Sequence, residues 1–137
     1  EVRAERRMAV TPKTNIDLRG AVTIAARPGK TFCLDGPGMI DGKEAVRQAI
    51  YLILNTERDA CLIHSWNYGV ELHSLIGQDP DFCIPEIERC VREALLQDDR
   101  ITAVDDFSFE KHKKSIAATF TVHTIYGDIE SETEVTI

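Results

Sequence analysis

Residues 101–137 read I-T-A-V-D-D-F-S-F-E-K-H-K-K-S-I-A-A-T-F-T-V-H-T-I-Y-G-D-I-E-S-E-T-E-V-T-I, and this segment decides the fold. Apolar and polar residues alternate with a period of two, the signature of strands with one face in a core and one in water. The alternation predicts three antiparallel strands over 101–110, 115–126 and 128–137. They are joined by the Lys111-His112-Lys113-Lys114 turn and the tight Tyr126-Gly127-Asp128 turn. In the middle strand Ile116, Ala118, Phe120 and Val122 share one face, with Thr119, Thr121 and His123 on the other. In the last strand Ile129, Val135 and Ile137 alternate with Glu130, Glu132 and Glu134. Charges repeated along one face mark an exposed edge strand.

Upstream the period lengthens to that of a helix. Asp41 precedes a run in which Val46, Ala49, Ile50, Ile53 and Leu54 recur at three and four, leaving Lys43, Arg47 and Gln48 wet. The pattern predicts a helix over 41–55, with Asp41 capping the first amides and Glu44 reaching back as in a capping box. A second helix is expected from near Pro85 to near Gln97, with Ile87, Val91, Ala94 and Leu95 on its apolar face. Two helices followed by consecutive strands imply an α+β fold: two main helices packed on a mainly antiparallel sheet of C-terminal strands, with an N-terminal extension.

Between the helices lies T-E-R-D-A-C-L-I-H-S-W-N-Y-G-V-E-L-H-S-L-I-G, residues 56–77, with the only Trp. Residues 61–66 read as a short apolar strand, Asn67-Tyr68-Gly69 as a turn in which glycine supplies a positive φ, and 70–76 as a short helix closed by Gly77. The core candidates are Trp66, Tyr68, Ile50, Ile53, Leu54, Val91, Leu95, Phe107, Phe120 and Val122. The N-terminal side is less patterned. Its first ten residues are charged enough to be a frayed helix or a disordered arm, and 21–26 with 31–34 read as a hairpin around Arg27-Pro28-Gly29. Asp35-Gly36-Pro37-Gly38 is a turn; as a phosphate loop it lacks the following G-K-S/T.

A chain of 137 residues is one domain by length. Its net charge of −7 and pI near 5.1 disfavour partnership with nucleic acid or an anionic membrane, which need basic patches. No apolar run approaches the ~20 residues that span a bilayer, so a soluble protein made in the cytoplasm is expected. Cys33, Cys61, Cys83 and Cys90 form no C-x-x-C pair and read as reduced, mostly small core residues.

Two chemistries merit weighing. Glu57 and Glu71 flank the aromatic cluster, and paired carboxyls near aromatics are what a glycosidase needs. Glu57 directly precedes Arg58, however, which suits a surface ion pair or a fixed turn, and Glu71 sits beside Leu72 and Leu75. Zinc held by Cys61, His64, His73 and Cys83 or Cys90 is disfavoured, because Cys61 and His64 would project from opposite faces of a strand. His112 in the basic turn and His123 on a wet face read as solvated. No cofactor and no metal is expected.

From residue 32 onward the chain resembles the sheath-initiator family of contractile-tail baseplates, in the branch found in Gram-positive prophages and phage-tail-like bacteriocins. The resemblance is carried, in order, by D-G-K-E-A-V-R-Q-A-I (41–50), T-E-R (56–58), S-W-N-Y-G-V-E-L (65–72), L-I-G-Q-D-P (75–80), A-L-L-Q-D-D-R-I (94–101) and F-T-V-H-T-I-Y-G-D-I-E (120–130). Residues 1–31 then read as an N-terminal extension or arm and 32–137 as the sheath-initiator-like domain.

The resemblance implies a non-enzymatic baseplate protein that links wedge to sheath and starts sheath assembly by strand addition. Its partners would be the first ring of tail sheath protein, baseplate wedge proteins, and hub or tube-proximal proteins as further candidates, with no nucleic acid and no membrane. Its place would be the baseplate of a virion or phage-tail-like particle. Asp98-Asp99-Arg100-Ile101 resembles the position of a Glu-Pro-Arg motif at which relatives meet the wedge, making Asp98 and Arg100 the wedge-contact candidates. Arg100 would offer a guanidinium fork, or would simply stand beside the last helix carbonyls. The edge strand, with Ile129, Glu130, Glu132, Glu134, Val135 and Ile137, is the sheath-contact candidate. The alternative is a lysozyme-like cell-wall hydrolase.

Overall fold

The computed structural model describes residues 29–137. The expected first-ten-residue arm and the 21–26 half of the hairpin lie outside that range. The order of elements is β1 (Thr31–Phe32), β2 (Met39–Ile40), α1 (Gly42–Leu54), a single 3-10 turn (His73–Leu75), α2 (Pro80–Leu95), β3 (Ile101–Lys111), β4 (Ser115–Thr124) and β5 (Gly127–Thr136). This is the α+β architecture that the change of period implies.

The sheet order is β3-β4-β5, antiparallel throughout, so β4 is central and β3 and β5 are both edges. Helix α1 lies against β5, and α2 against β3 and β4. Both helices cover the same face of the sheet. Ile116, Ala118, Phe120 and Val122 of β4 point into that layer, with Ile129 and Val135 of β5 beside them and Val46, Ile50, Ile87, Val91 and Leu95 from the helices. Phe120 is the largest fully buried side chain and stacks on Phe107, whose ring also receives the Arg92 guanidinium at 5.5 Å.

Asp41 caps α1 as expected, accepting from the Gly42 amide at 2.7 Å. Glu44 does not complete a capping box; it leans to Arg47 at 3.5 Å. Helix α2 begins five residues before the expected Pro85. Asp79 accepts from the Asp81 amide at 2.9 Å, and Pro80 occupies the first turn, where a missing N–H costs nothing. Pro85 is therefore inside the helix, where it deprives the Asp81 carbonyl of its helical donor; Asp81 is exposed, so water can serve.

The 61–66 strand is not formed. Its backbone bonds are local turns, with the Ala60 amide donating to the Glu57 carbonyl, His64 to Cys61 and Tyr68 to Ser65. Among the described residues it pairs with no strand, and the apolar run folds as loop. Trp66, expected in the core, is 79% exposed, and Leu62 and Ile63 are fully in solvent. Tyr68, Leu54 and Phe107 flank the core half-buried, while Ile50, Ile53, Val91, Leu95, Phe120 and Val122 are inside it. The 70–76 helix shrinks to the 3-10 turn, Val70 pairing in parallel with Glu57 instead. Residues 31–32 form their hairpin with 39–40, across the Asp35–Gly38 turn. Cys83 and Cys90 are buried as expected, Cys33 is half-buried, and Cys61 is exposed on the loop; all four are free.

Candidate functional site

Among the described residues the three-stranded sheet has two unpaired edges, and they differ. Along β3 the register with β4 shifts twice, between Ile101 and Ala103 and between Asp105 and Ser108. Asp106 at the second irregularity has φ +56°, a conformation costly to a non-glycine residue. Such bulges twist an edge away from incoming strands. The consecutive acids Asp105-Asp106 interrupt the alternation and were the available sequence signal.

β5 pairs with β4 without interruption, from Ser115 opposite Thr136 to Thr124 opposite Gly127. Beyond its end the Ile137 amide donates to the Lys114 carbonyl at 3.0 Å. In an antiparallel ladder alternate residues face the partner, so odd-numbered residues of β5 bond to β4. The even-numbered ones, Asp128, Glu130, Glu132, Glu134 and Thr136, direct their amides and carbonyls to the free edge. Their side chains lie on the face away from the helices and are exposed. Ile129 and Val135 are buried, and Ile137 packs half-buried against the core. Of the six residues expected to contact sheath, these three therefore hold the strand down, and the three glutamates present the edge.

The acids on this face are not equivalent. Asp128 binds His123 Nδ1 at 2.7 Å, and its carboxylate holds the imidazole above its usual range. Glu134 accepts from the Ser115 hydroxyl at 2.7 Å. Glu130 and Glu132 stand opposite Thr121 and Thr119, uncharged neighbours.

Asp98 and Arg100 lie in the turn between α2 and β3. The guanidinium fork forms within the turn itself: Arg100 Nε and Nη2 donate to the two Asp98 oxygens at 2.9 and 2.6 Å, and the Arg100 amide adds a third bond at 3.0 Å. The Arg100 carbonyl accepts from the Ile125 amide, which ties this turn to the β4–β5 hairpin. Burial pushes the Tyr68 phenol up, with the Asp98 carboxylate adding to it. The fork thus stiffens the turn between α2 and β3, which the Arg100 carbonyl joins to the β4–β5 hairpin.

Glu57 and Glu71 are both engaged structurally. Glu57 accepts from the His73 amide at 3.2 Å. Glu71 meets the Arg58 guanidinium at 3.0 Å, and Arg58 also reaches Glu93 of α2 at 2.9 Å. The Arg58 side chain is only 13% exposed. Its hydrogen bond from NH1 holds the Glu93 carboxyl below the usual carboxylate range. Sequence reasoning missed Arg58 as the hub because both partners are distant in sequence. Of the imagined zinc ligands, His64 stacks on Tyr68 at 4.5 Å and Cys83 faces the Leu75 carbonyl at 3.7 Å. Among the described residues no three His, Cys, Asp or Glu side chains gather as a metal would require, and no helix is long and apolar enough to cross a membrane.

Comparison with known proteins gives a consistent result. A family model described as contractile injection system sheath initiator matches residues 27–127. Protein XkdS of the phage-like element PBSX of Bacillus subtilis (strain 168) is 34% identical over 134 residues, covering 91% of this chain and 95% of XkdS. The α+β domain with its uninterrupted β5 edge belongs to the contractile injection system sheath initiator family.

Proposed function

We propose that this sheath initiator is a non-enzymatic baseplate subunit that joins wedge to sheath and starts sheath polymerisation by accepting a strand from first-ring sheath protein along β5. One observation carries the reading: β5 offers an edge in continuous register over its whole length, whereas β3 is broken by two shifts. Added strands bind through main-chain hydrogen bonds, which tolerate side-chain variation and survive rigid-body motion of the partners. The protein is made in the bacterial cytoplasm and enters the particle during tail assembly, residues 32–137 acting as the docking domain and 1–31 as an extension.

The wedge contact is assigned to the Asp98–Arg100 turn. Because the fork is closed within the chain, and the Asp98 and Arg100 carbonyls accept from the Ile101 and Ile125 amides, the turn meets its partner as a preformed shape. Arg100→Ala would loosen that shape and lower incorporation into baseplates; normal baseplates from this variant remove Arg100 from the contact.

Glu132→Pro tests the sheath contact. Residue 132 directs its amide to the free edge, so proline removes a donor from the incoming ladder and leaves the β4 ladder intact. Compared with Glu132→Gln, which has the same charge change, Glu132→Pro should abolish sheath binding while the protein remains folded. Sheath binding equal in the two variants would refute strand addition at β5.

A further inference from the structure

The inference deepens the β5 reading and rests on it. Two independent features coincide on this strand: a backbone edge in continuous register that is unpaired among the described residues, and a pattern of carboxylates in which the outer two are satisfied within the sheet. Asp128 is bound to His123 and Glu134 to Ser115, each at 2.7 Å. Glu130 and Glu132, between them, make no hydrogen bond or ion pair among the described residues, and their neighbours across β4 are Thr121 and Thr119. They share one face two residues apart, about 7 Å, close enough to repel. Their own backbone amides and carbonyls are those turned to the edge, so a strand added there sets its side chains directly beside these two carboxylates.

We infer that the strand accepted by β5 is an alternating one whose outward positions opposite Glu130 and Glu132 carry Lys or Arg. Such a strand removes the repulsion and gains a cross-strand ion pair at each position, while its inward positions continue the layer begun by Ile129 and Val135. A second copy of β5 is a poor occupant, because antiparallel self-pairing sets glutamate rows side by side. The two central acids therefore choose the partner's charge, and the backbone edge supplies the binding.

The test measures binding of the cognate tail sheath protein to the full chain, comparing wild type with Glu132→Gln, Glu130→Gln/Glu132→Gln, Glu130→Lys/Glu132→Lys and Glu132→Pro. Two opposite-charge pairs at ~0.2–1 kcal/mol each predict about 2- to 30-fold weaker binding for the double Gln variant at low salt, with a larger loss for the double Lys variant. The gap between wild type and double Gln should close as salt rises from about 0.05 M to about 1 M. If Glu132→Pro abolishes binding while double Gln and double Lys bind like wild type or tighter, strand addition stands and charge selection is refuted. If Glu132→Pro binds as well as Glu132→Gln, strand addition itself is wrong. Thermal unfolding of each variant separates both results from loss of fold.

Discussion

Gly69→Ala is expected to be the most damaging single-methyl addition in the described chain. Gly69 has φ +96°, beyond the narrow left-handed region open to L residues, so alanine there costs ~1–2 kcal/mol in backbone strain. A Cβ would also stand 2.5 Å from the Thr56 carbonyl oxygen and 3.2 Å from the Arg58 amide nitrogen, both backbone atoms that cannot rotate away. Those groups make the bridge at the base of the loop: the Val70 amide donates to Thr56 at 2.9 Å, and the Arg58 amide donates to Val70 at 3.1 Å. Displacing them forfeits up to two hydrogen bonds at ~1 kcal/mol each, for a total of roughly 2–4 kcal/mol. Gly77 separates the two contributions, since its φ is +82° but nothing lies within 4 Å of its Cβ position. Gly77→Ala should therefore cost only the strain. Gly36→Ala, with open space and no such φ, should stay within about 0.5 kcal/mol of wild type. In urea titrations with a slope of ~2 kcal/mol per M, the midpoint should fall by ~1–2 M for Gly69→Ala and ~0.5–1 M for Gly77→Ala. Equal destabilisation by the two would refute the steric part of the reasoning.

Other outcomes are as specific. Phe120→Ala should cost ~3–5 kcal/mol by equilibrium unfolding, because the ring is buried at the centre of the sheet and stacked on Phe107; a loss under ~1 kcal/mol would mean the core is centred elsewhere. Trp66→Ala should leave stability within about 0.5 kcal/mol, and the wild-type Trp emission should be that of a solvated indole, accessible to iodide; blue-shifted, protected emission would place Trp66 back in the core. His123 has a raised folded value through its hydrogen bond to Asp128, so the stabilisation is complete below the unfolded value of about 6.5 and fades as pH climbs through the raised one. NMR titration of His123 should show that raised midpoint and its return toward normal in Asp128→Asn; an unchanged midpoint would discount the pair. Glu93 behaves oppositely: its depressed folded value gives a contribution present above the ordinary Glu range and lost as pH falls, and Arg58→Leu should raise the Glu93 midpoint read by carboxyl NMR.

The family residues 41–50, 65–72 and 94–101 were legible as local strings, but their roles were not. T-E-R suggests an ion pair or a fixed turn for Arg58 beside Glu57, but its actual partners, Glu71 and Glu93, become neighbours only when α2 packs beside the 56–70 segment. S-W-N-Y was misleading for a different reason. Large aromatics are more often buried than not, and Tyr68 does pack inward, yet its neighbour Trp66 stands exposed on the loop. Pro80 and Pro85 both suit a first helical turn; the contact of Asp79 with the Asp81 amide is what assigns the start of α2 to Pro80.

Sequence alone determined what depends on neighbours along the chain. The period-two alternation read over 115–126 and 128–137 assigned the buried face of each strand, the three-four recurrence over 41–55 assigned the apolar stripe of α1, and Gly69 marked a turn where φ is positive. These are set by backbone sterics and by one-dimensional pattern, so they can be read without a partner in view. Tertiary structure decided what depends on distance in space: that among the described residues β4 is central and β5 is the unbroken edge, that a bulge at Asp106 spoils the other edge, that Arg100 closes on Asp98, and that Glu130 and Glu132 stand opposite threonines with no counterion among the described residues. An edge is defined by the absence of a neighbour, and an unpaired charge by the absence of its counterion. Neither absence is a property of any residue, and each came into being only when the sheet assembled.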